Sequence, residues 1–331
     1  MENNELEPTA EQAPTLDLAP LSMKVAELKA MMQRFLVGQE QMVELMLAAL
    51  LCNGHILIEG VPGIGKTMAA KLMAAALDLK FGRIQFTPDL MPADVTGTSV
   101  FNQKNMEFNF KKGPIFANLV LIDEINRSPA KTQSALFEVM EEKQITVDGI
   151  THKMDEPFMV MATQNPIEQE GTYKLPEAQQ DRFMMKIIVS YPNAEEEFEI
   201  LKRFYFNDVM DQMQHLKPIL VASEIKKLAA LVDKVHIQDA LLQYISRVIF
   251  ATRNHKDLYL GASPRASLAV MRASKAVAAM QGRPFVTPDD IRYVTYPVLN
   301  HRLILTPESE MDGIQIQDVV NEILKTVEVP R

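Results

Sequence analysis

The feature that most constrains this 331-residue chain is Gly60-Val-Pro-Gly-Ile-Gly-Lys66-Thr67, which fits G-x-x-x-x-G-K-[ST]. Such a loop needs a buried strand before it and a helix after it. Backbone N–H groups and the positive helix end then converge on phosphate oxygens. Both neighbours are legible. His55-Ile-Leu-Ile-Glu59 reads as a short buried strand, and a helix rich in Ala, Leu and Met is expected from about Lys66 to Leu77. Gly60, Pro62, Gly63, Ile64 and Gly65 would form the cradle, with Met68 in the first helical turn. Lys66 would reach the β and γ phosphates of ATP, and Thr67 would hold Mg²⁺. A chance match in a glycine-containing loop is the plain alternative, and the strand-loop-helix setting argues against it.

Leu119-Val-Leu-Ile-Asp123-Glu124 is a run of four apolar residues closed by two acids. On a buried strand, Asp123 falls at the C-terminal edge beside the phosphate loop, where a carboxylate can hold the Mg²⁺ shell. Glu124 then stands where it can polarise an attacking water as a general base. A solvated strand end is the alternative. Two successive acids favour water as the nucleophile, and no site for the second substrate of a nucleotide kinase is evident. Asp94-Val-Thr-Gly97 fits D-x-x-G, but no N-K-x-D follows to read guanine. No LSGGQ-like transporter signature is present.

Arg83–Phe86, Phe158–Ala162 and Lys186–Val189 are further strand candidates, and Pro129–Glu142 is patterned as a helix. Alternating strands and helices indicate an α/β fold with a parallel sheet covered on both faces. Beyond about residue 193 the pattern is helical throughout. Leu228, Leu231, Val232 and Val235 form one stripe, and Leu241, Tyr244, Ile245, Val248 and Ile249 form another. Thr287-Pro-Asp-Asp290 is a strong helix start. Two domains are expected: a nucleotide-binding α/β domain over 21–192 and an all-α domain over 193–331. Residues 1–20, with five acids and three prolines, read as a disordered acidic tail. A helix carrying Leu21, Val25, Leu28, Met32 and Phe35 follows, and Gly38 separates it from a second helix. Residues 87–116 and 143–156 are extra to a minimal phosphate-loop core. The latter reads as a hairpin around Asp148-Gly149.

The formal charge of -9 and pI of 5.3 do not favour nucleic acid as a partner. The single cysteine, Cys52, excludes a disulfide framework within the chain and fits a reducing cytosol, with Cys52 itself a buried small hydrophobe. No apolar run approaches the ~18 residues that span a bilayer, and no secretory pattern opens the chain. A cytoplasmic location without membrane insertion is the expectation. Six scattered histidines lack metal-ligand spacing, so no zinc site is expected.

Several strings together resemble the MoxR family of AAA+ ATPases over nearly everything from residue 21 to 331. They are Val37-Gly38-Gln39, the phosphate loop, Phe86-Thr-Pro-Asp-Leu-Met-Pro-Ala-Asp-Val-Thr-Gly97 and Asp123-Glu-Ile-Asn-Arg127. Ala162-Thr-Gln-Asn-Pro166, Leu175-Pro-Glu-Ala-Gln-Gln-Asp-Arg-Phe183 and Gly261-Ala-Ser-Pro-Arg265 complete the set. The resemblance implies an AAA+ core with a helical lid. It implies that Asn165 is a sensor of the water or γ-phosphate and that Arg182 is an arginine finger reaching a neighbour's nucleotide. Arg265 resembles the second sensor, coupling nucleotide state to the lid, and Val37 and Gly38 resemble the adenine-side contact. The 87–116 segment resembles a helix-2 insertion, and 143–156 a hairpin preceding the first sensor. In such rings both lie toward the pore or substrate side. Arg127 could sense nucleotide, pair with an acid or face a neighbour. Gln85 could restrain Glu124.

The leading expectation is Mg-dependent hydrolysis of ATP to ADP and phosphate by a homo-oligomeric ring, six subunits being usual, that remodels client proteins in a chaperone-like way. The resemblance adds proteins bearing a von Willebrand factor A domain as partners. A nucleotide-gated binding module with little turnover is one alternative. The intact Lys66, Asp123, Glu124 and Arg182 weigh against it. A nucleic-acid motor is another, and the acidic balance of the 143–156 hairpin disfavours it.

Overall fold

A computed structural model describes residues 16–166, 173, 175–206, 212–213 and 215–330. The first fifteen residues of the expected tail lie outside the described residues. The remainder of that tail is ordered. Leu18 is 2% exposed and helix α1 begins at Ala19 (Ala19–Gln33). Two features explain the early start. Asp17 Oδ1 accepts from the Ala19 N–H at 3.0 Å. Pro20 sits in the first turn, where its missing N–H has no intrahelical role.

Five parallel strands form the central sheet: β1 (Ile56–Gly60), β2 (Phe81–Gln85), β5 (Leu119–Asp123), β8 (Met159–Gln164) and β9 (Met185–Val189). Their order is β2-β5-β8-β1-β9. Side chains alternate between two cores, as the two-residue strand period requires. Ile56, Ile58, Leu119, Leu121, Met159 and Met161 share one core with α1, α2 (Glu40–Leu51), α3 (Lys66–Ala76) and the lid. Leu57, Val120, Ile122, Val160 and Ala162 face the other, where α5 (Ala130–Glu142) inserts Leu136, Phe137 and Met140. Both faces of β1, β5 and β8 are thus dry, which is why these three read as apolar runs.

The segment between β2 and β5 folds as a short helix, α4 (Pro92–Thr96), and an antiparallel hairpin of β3 (Gly97–Asn102) and β4 (Glu107–Lys112). A second hairpin, β6 (Gln144–Val147) with β7 (Ile150–Lys153), turns at Asp148-Gly149, both at positive φ. The two hairpins touch. Phe110 stacks on His152 at 4.4 Å between ring centroids, and Ser99 Oγ donates to the Asp148 carboxylate. Neither sequence segment announces this contact.

After α6 (Glu177–Gln180) and β9 come α7 (Ala194–Phe206), α8 (Ala222–Asp233), α9 (Asp239–Arg253), α10 (Pro264–Met280), α11 (Pro288–Leu299), α12 (Pro307–Met311) and α13 (Ile316–Thr326). This lid is helical except for a ribbon of β10 (Leu258–Leu260) and β11 (Ile304–Leu305), too short to show as alternation in the sequence. Thr287 opens α11 as expected. Asp290 accepts from the Thr287 N–H and hydroxyl, both at 2.8 Å, and pairs with Arg283. The lid docks on the outer strand of the sheet, with the Asn300 amide donating to the Lys186 carbonyl at 3.0 Å. Among the described residues, no helix is long and apolar enough to cross a membrane.

Candidate functional site

Parallel register brings the sequence strings to one edge. Ile58 pairs with Thr163 and Glu59 with Gln164, so Asn165 emerges level with Gly60. Gln85 pairs with Asp123 on the adjoining strands. The C-terminal ends of β1, β2, β5 and β8 therefore carry Gly60, Gln85, Asp123 and Asn165 side by side, at the edge where open α/β sheets bind ligands.

The phosphate loop is held by its ends. Ile64 is only 8% exposed and packs into the core, while Pro62 and Gly63 are exposed. Gly63 and Gly65 stand at φ 87° and 86°, a conformation that side-chain-bearing residues rarely adopt. Lys66, Thr67 and Met68 open α3, whose positive end faces the loop. Lys66 Nζ donates to the Gly60 carbonyl. Burial lowers the pKa of its ammonium, and the charges of Asp123, Glu124 and Glu59 oppose that shift. Lys66 is thus the cation of an acidic edge, within electrostatic reach of both acids.

Asp123 is buried. One of its oxygens pairs with Arg83 Nε at 2.7 Å, and the other accepts from the Thr163 hydroxyl at 3.3 Å. Glu124 leaves the strand in a left-handed conformation, φ 58° and ψ 53°, a strain that clusters at functional positions. Its N–H donates to Thr163 Oγ1 at 3.1 Å, and its Oε2 accepts from Gln85 Nε2 at 2.7 Å and pairs with Arg127 Nε at 3.1 Å. The Gln85 contact is therefore present. Of the three options for Arg127, pairing with an acid is present. Thr163 ties both acids to β8, and its position inside an apolar strand was the signal available for it.

Val37 and Gly38, expected on the adenine side, link α1 to α2 and lie under α7. A methyl group at Gly38 would come within 2.5 Å of the Glu196 carboxyl carbon. Arg203 of α7 donates to the carbonyls of Gln33 and Arg34 at 2.6 and 2.9 Å, closing the C-terminal end of α1.

Arg182 and Arg265 lie elsewhere. Arg182 precedes β9, a strand length from the phosphate loop, and donates to the Phe137 carbonyl at 2.6 Å. It shares a cleft of about 330 Å³ with His55, Lys143, Arg265 and Arg272. Arg265, half-exposed at the start of α10, pairs with Glu141 at 3.0 Å. The start of α10 therefore puts Arg265 at the opposite end of the sheet from Lys66, beside Arg182. A helix start is legible in sequence; which edge it faces is not. Cys52 lines the same cleft and donates its thiol to the Arg272 carbonyl at 3.3 Å, and burial pushes its pKa up to about 12. These surroundings favour the neutral thiol, and Cys52 is partly rather than fully buried. In the lid, His255 approaches Asp257 at 3.7 Å and Glu322 at 3.8 Å, a polar cluster that histidine spacing does not reveal.

Comparison with known proteins matches this geometry. The family described as "ATPase family associated with various cellular activities (AAA)" matches residues 55–185, and the AAA lid domain matches 250–323. The protein YeaC of Bacillus subtilis is 46% identical over 314 residues, covering 95% of this chain and 96% of its own. Chaperone MoxR1 of Mycobacterium tuberculosis is 46% identical over 308 residues, covering 90% of this chain and 80% of its own. A crystal structure from Cytophaga hutchinsonii, described as a candidate ATPase, superposes with a TM-score of 0.88 at 42% identity, covering 95% and 97% of the two chains. With the phosphate loop, the paired acids and the lid in these positions, the chain belongs to the MoxR family of AAA+ ATPases.

Proposed function

We propose that the chain hydrolyses ATP to ADP and phosphate in a homo-oligomeric ring, of six subunits by analogy with such proteins, and uses the cycle to remodel client proteins. The observation that carries this reading is the division of the machinery between two edges. Lys66, Asp123, Glu124 and Asn165 converge at one end of the sheet, while the cations Arg182 and Arg265 stand at the other. Head-to-tail packing would bring the second set to a neighbour's first, and such heterologous contacts close into rings.

The residues present suit Mg²⁺ with a nucleotide. The loop is open at Gly63, Lys66 supplies a fixed cation, Asp123 offers a hard carboxylate and Thr67 a hydroxyl at the helix start. Bound there by Thr67 and Asp123, the metal ion would supply charge neutralisation to the phosphates. Glu124 takes the proton of the attacking water once it leaves Gln85 and Arg127. Asn165 orients that water, or the γ-phosphate. Arg182 and Arg265 of the adjoining subunit stabilise charge developing on the transferred phosphoryl group. Val37 and Gly38 border the base, and α7 above them carries the change to the lid.

The chaperone name of MoxR1 supports a protein client. So does the hairpin surface: Phe101 and Phe108 face one another across β3 and β4 at 5.2 Å between ring centroids and are 43% and 71% exposed, an apolar surface suited to segments of another protein. A partner with a von Willebrand factor A domain belongs to the same reading, as does a cytoplasmic setting.

Mixed rings test it. Arg182→Ala and Glu124→Gln should each be inactive alone. Mixed, they should regain turnover, because an intact Glu124 site would receive an intact Arg182. Differently tagged subunits that co-purify yet stay inactive would contradict a site shared between copies.

A further inference from the structure

Asp181, the residue before Arg182, is gripped by the lid from two directions. Arg302 Nε donates to its Oδ1 at 2.7 Å, and the Ser263 hydroxyl donates to its Oδ2 at 3.1 Å. Ser263 caps α10 two residues ahead of Arg265, accepting from the Arg265 N–H at 3.2 Å. One carboxylate therefore connects the segment that carries Arg182 to the start of the lid helix that carries Arg265.

Arg302 does more than pair. Its side chain is 4% exposed. Its remaining donors reach main-chain carbonyls: Asp181 at 3.1 Å, Phe183 at 2.7 Å, Met184 at 3.1 Å and Val298 of α11. Its neighbours continue the contact, with His301 Nε2 3.0 Å from the Phe183 carbonyl. Burying a guanidinium is unfavourable, and an apolar side chain of similar volume could join lid and sheet at least as strongly. What the planar fork adds is orientation, because several donors must be satisfied at once along residues 181–184. Phe183 is fully buried at the end of that segment. Arg182, just before it, is partly buried and sets its guanidinium on the Phe137 carbonyl.

We propose that Arg302 is a positioning residue. Through Asp181 it sets the direction of Arg182, and through Ser263 the same carboxylate ties Arg265, so that lid and edge cations move as one body. A lid displaced by its own subunit's nucleotide then carries Arg182 with it, and the state of one site is delivered to the next. This rests on the shared-site reading above.

Asp181→Asn keeps the shape of the carboxylate and removes its charge. The expected result is a loss of steady-state ATPase turnover of about tenfold to a hundredfold, the scale of an ångström misplacement, with KM for ATP within about twofold. The decisive readout is complementation. Asp181→Asn mixed with Glu124→Gln should recover turnover as Arg182→Ala does, since the defect lies in what the subunit offers its neighbour. Asp181→Asn mixed with Arg182→Ala should not recover. Arg302→Lys, which keeps the charge but not the fork, should fall in the same group and replaces Asp181→Asn if that variant loses its cooperative melting. Native turnover in both variants would overturn the proposal. So would a loss that Glu124→Gln subunits cannot rescue while they do rescue Arg182→Ala. If co-assembled Glu124→Gln subunits fail to rescue Arg182→Ala itself, the shared-site reading falls first.

Discussion

In the proposed mechanism Lys66 serves binding and Glu124 serves bond cleavage. Lys66 is the fixed cation of the loop, so Lys66→Ala should abolish ATP binding in a fluorescent-nucleotide titration. Unchanged affinity would remove Lys66 from the phosphate site. Glu124→Gln preserves shape and removes the base. It should leave ATP affinity near the native value and cut turnover by about 10²–10⁴-fold. Gln85 donates to Glu124 across 2.7 Å. If that bond restrains the base, Gln85→Ala should raise unstimulated turnover, and a drop would make Gln85 a helper instead. The two acids were legible as a string because an apolar strand ending in Asp-Glu has few other uses after a phosphate loop. Arg302 was not legible. Its partner Asp181 lies 121 residues away, and nothing about one arginine after Asn300-His301 marks it as buried.

At the scale of elements, strands were read best where both faces are dry. β1 and β5 fall within a residue or so of their expected limits because a strand buried on both faces leaves an unbroken apolar run. The lid ribbon was missed because strands of three and two residues carry no period. The meeting of the two hairpins was missed because Phe110 and His152 become neighbours only through tertiary packing. β1 also sets a pH limit. His55, just before it, accepts from the Val160 N–H at 3.0 Å through Nδ1, and its Nε2 lies 3.1 Å from the Met140 carbonyl. Burial lowers its pKa from 6.5 to about 4. The unfolded chain then binds a proton that the folded chain refuses. The stabilisation is complete above pH 6.5 and disappears as pH falls toward 4, by at most about 3 kcal/mol. His301, also buried, shifts in the same direction. Urea unfolding at several pH values should show stability falling across that window, with a shallower slope in His55→Asn. An equal slope would place the acid sensitivity elsewhere. The exposed hairpin aromatics give an independent expectation. Replacing Phe101 and Phe108 with Ser should spare basal ATPase activity and weaken suppression of aggregation of a heat-unfolded test protein. Unchanged suppression would move the client surface away from the hairpins.

The whole molecule is an α/β ATPase fold with Arg182 and Arg265 at the opposite end of the sheet from its phosphate loop. Alternating strands and helices foretold the layers, and the order of strings along the chain foretold the family. What sequence order could not supply was the edge each arginine occupies, because that depends on how the lid folds back over β9. In the proposed ring, each copy would carry half of two active sites. The most direct measurement is the ATPase rate per subunit, with Mg²⁺, across a dilution series that brackets assembly, followed in parallel by sedimentation. Shared sites require the rate per subunit to rise with the fraction assembled and to collapse in Arg182→Ala. A rate independent of concentration and indifferent to Arg182 would contradict the ring and leave a monomeric nucleotide switch.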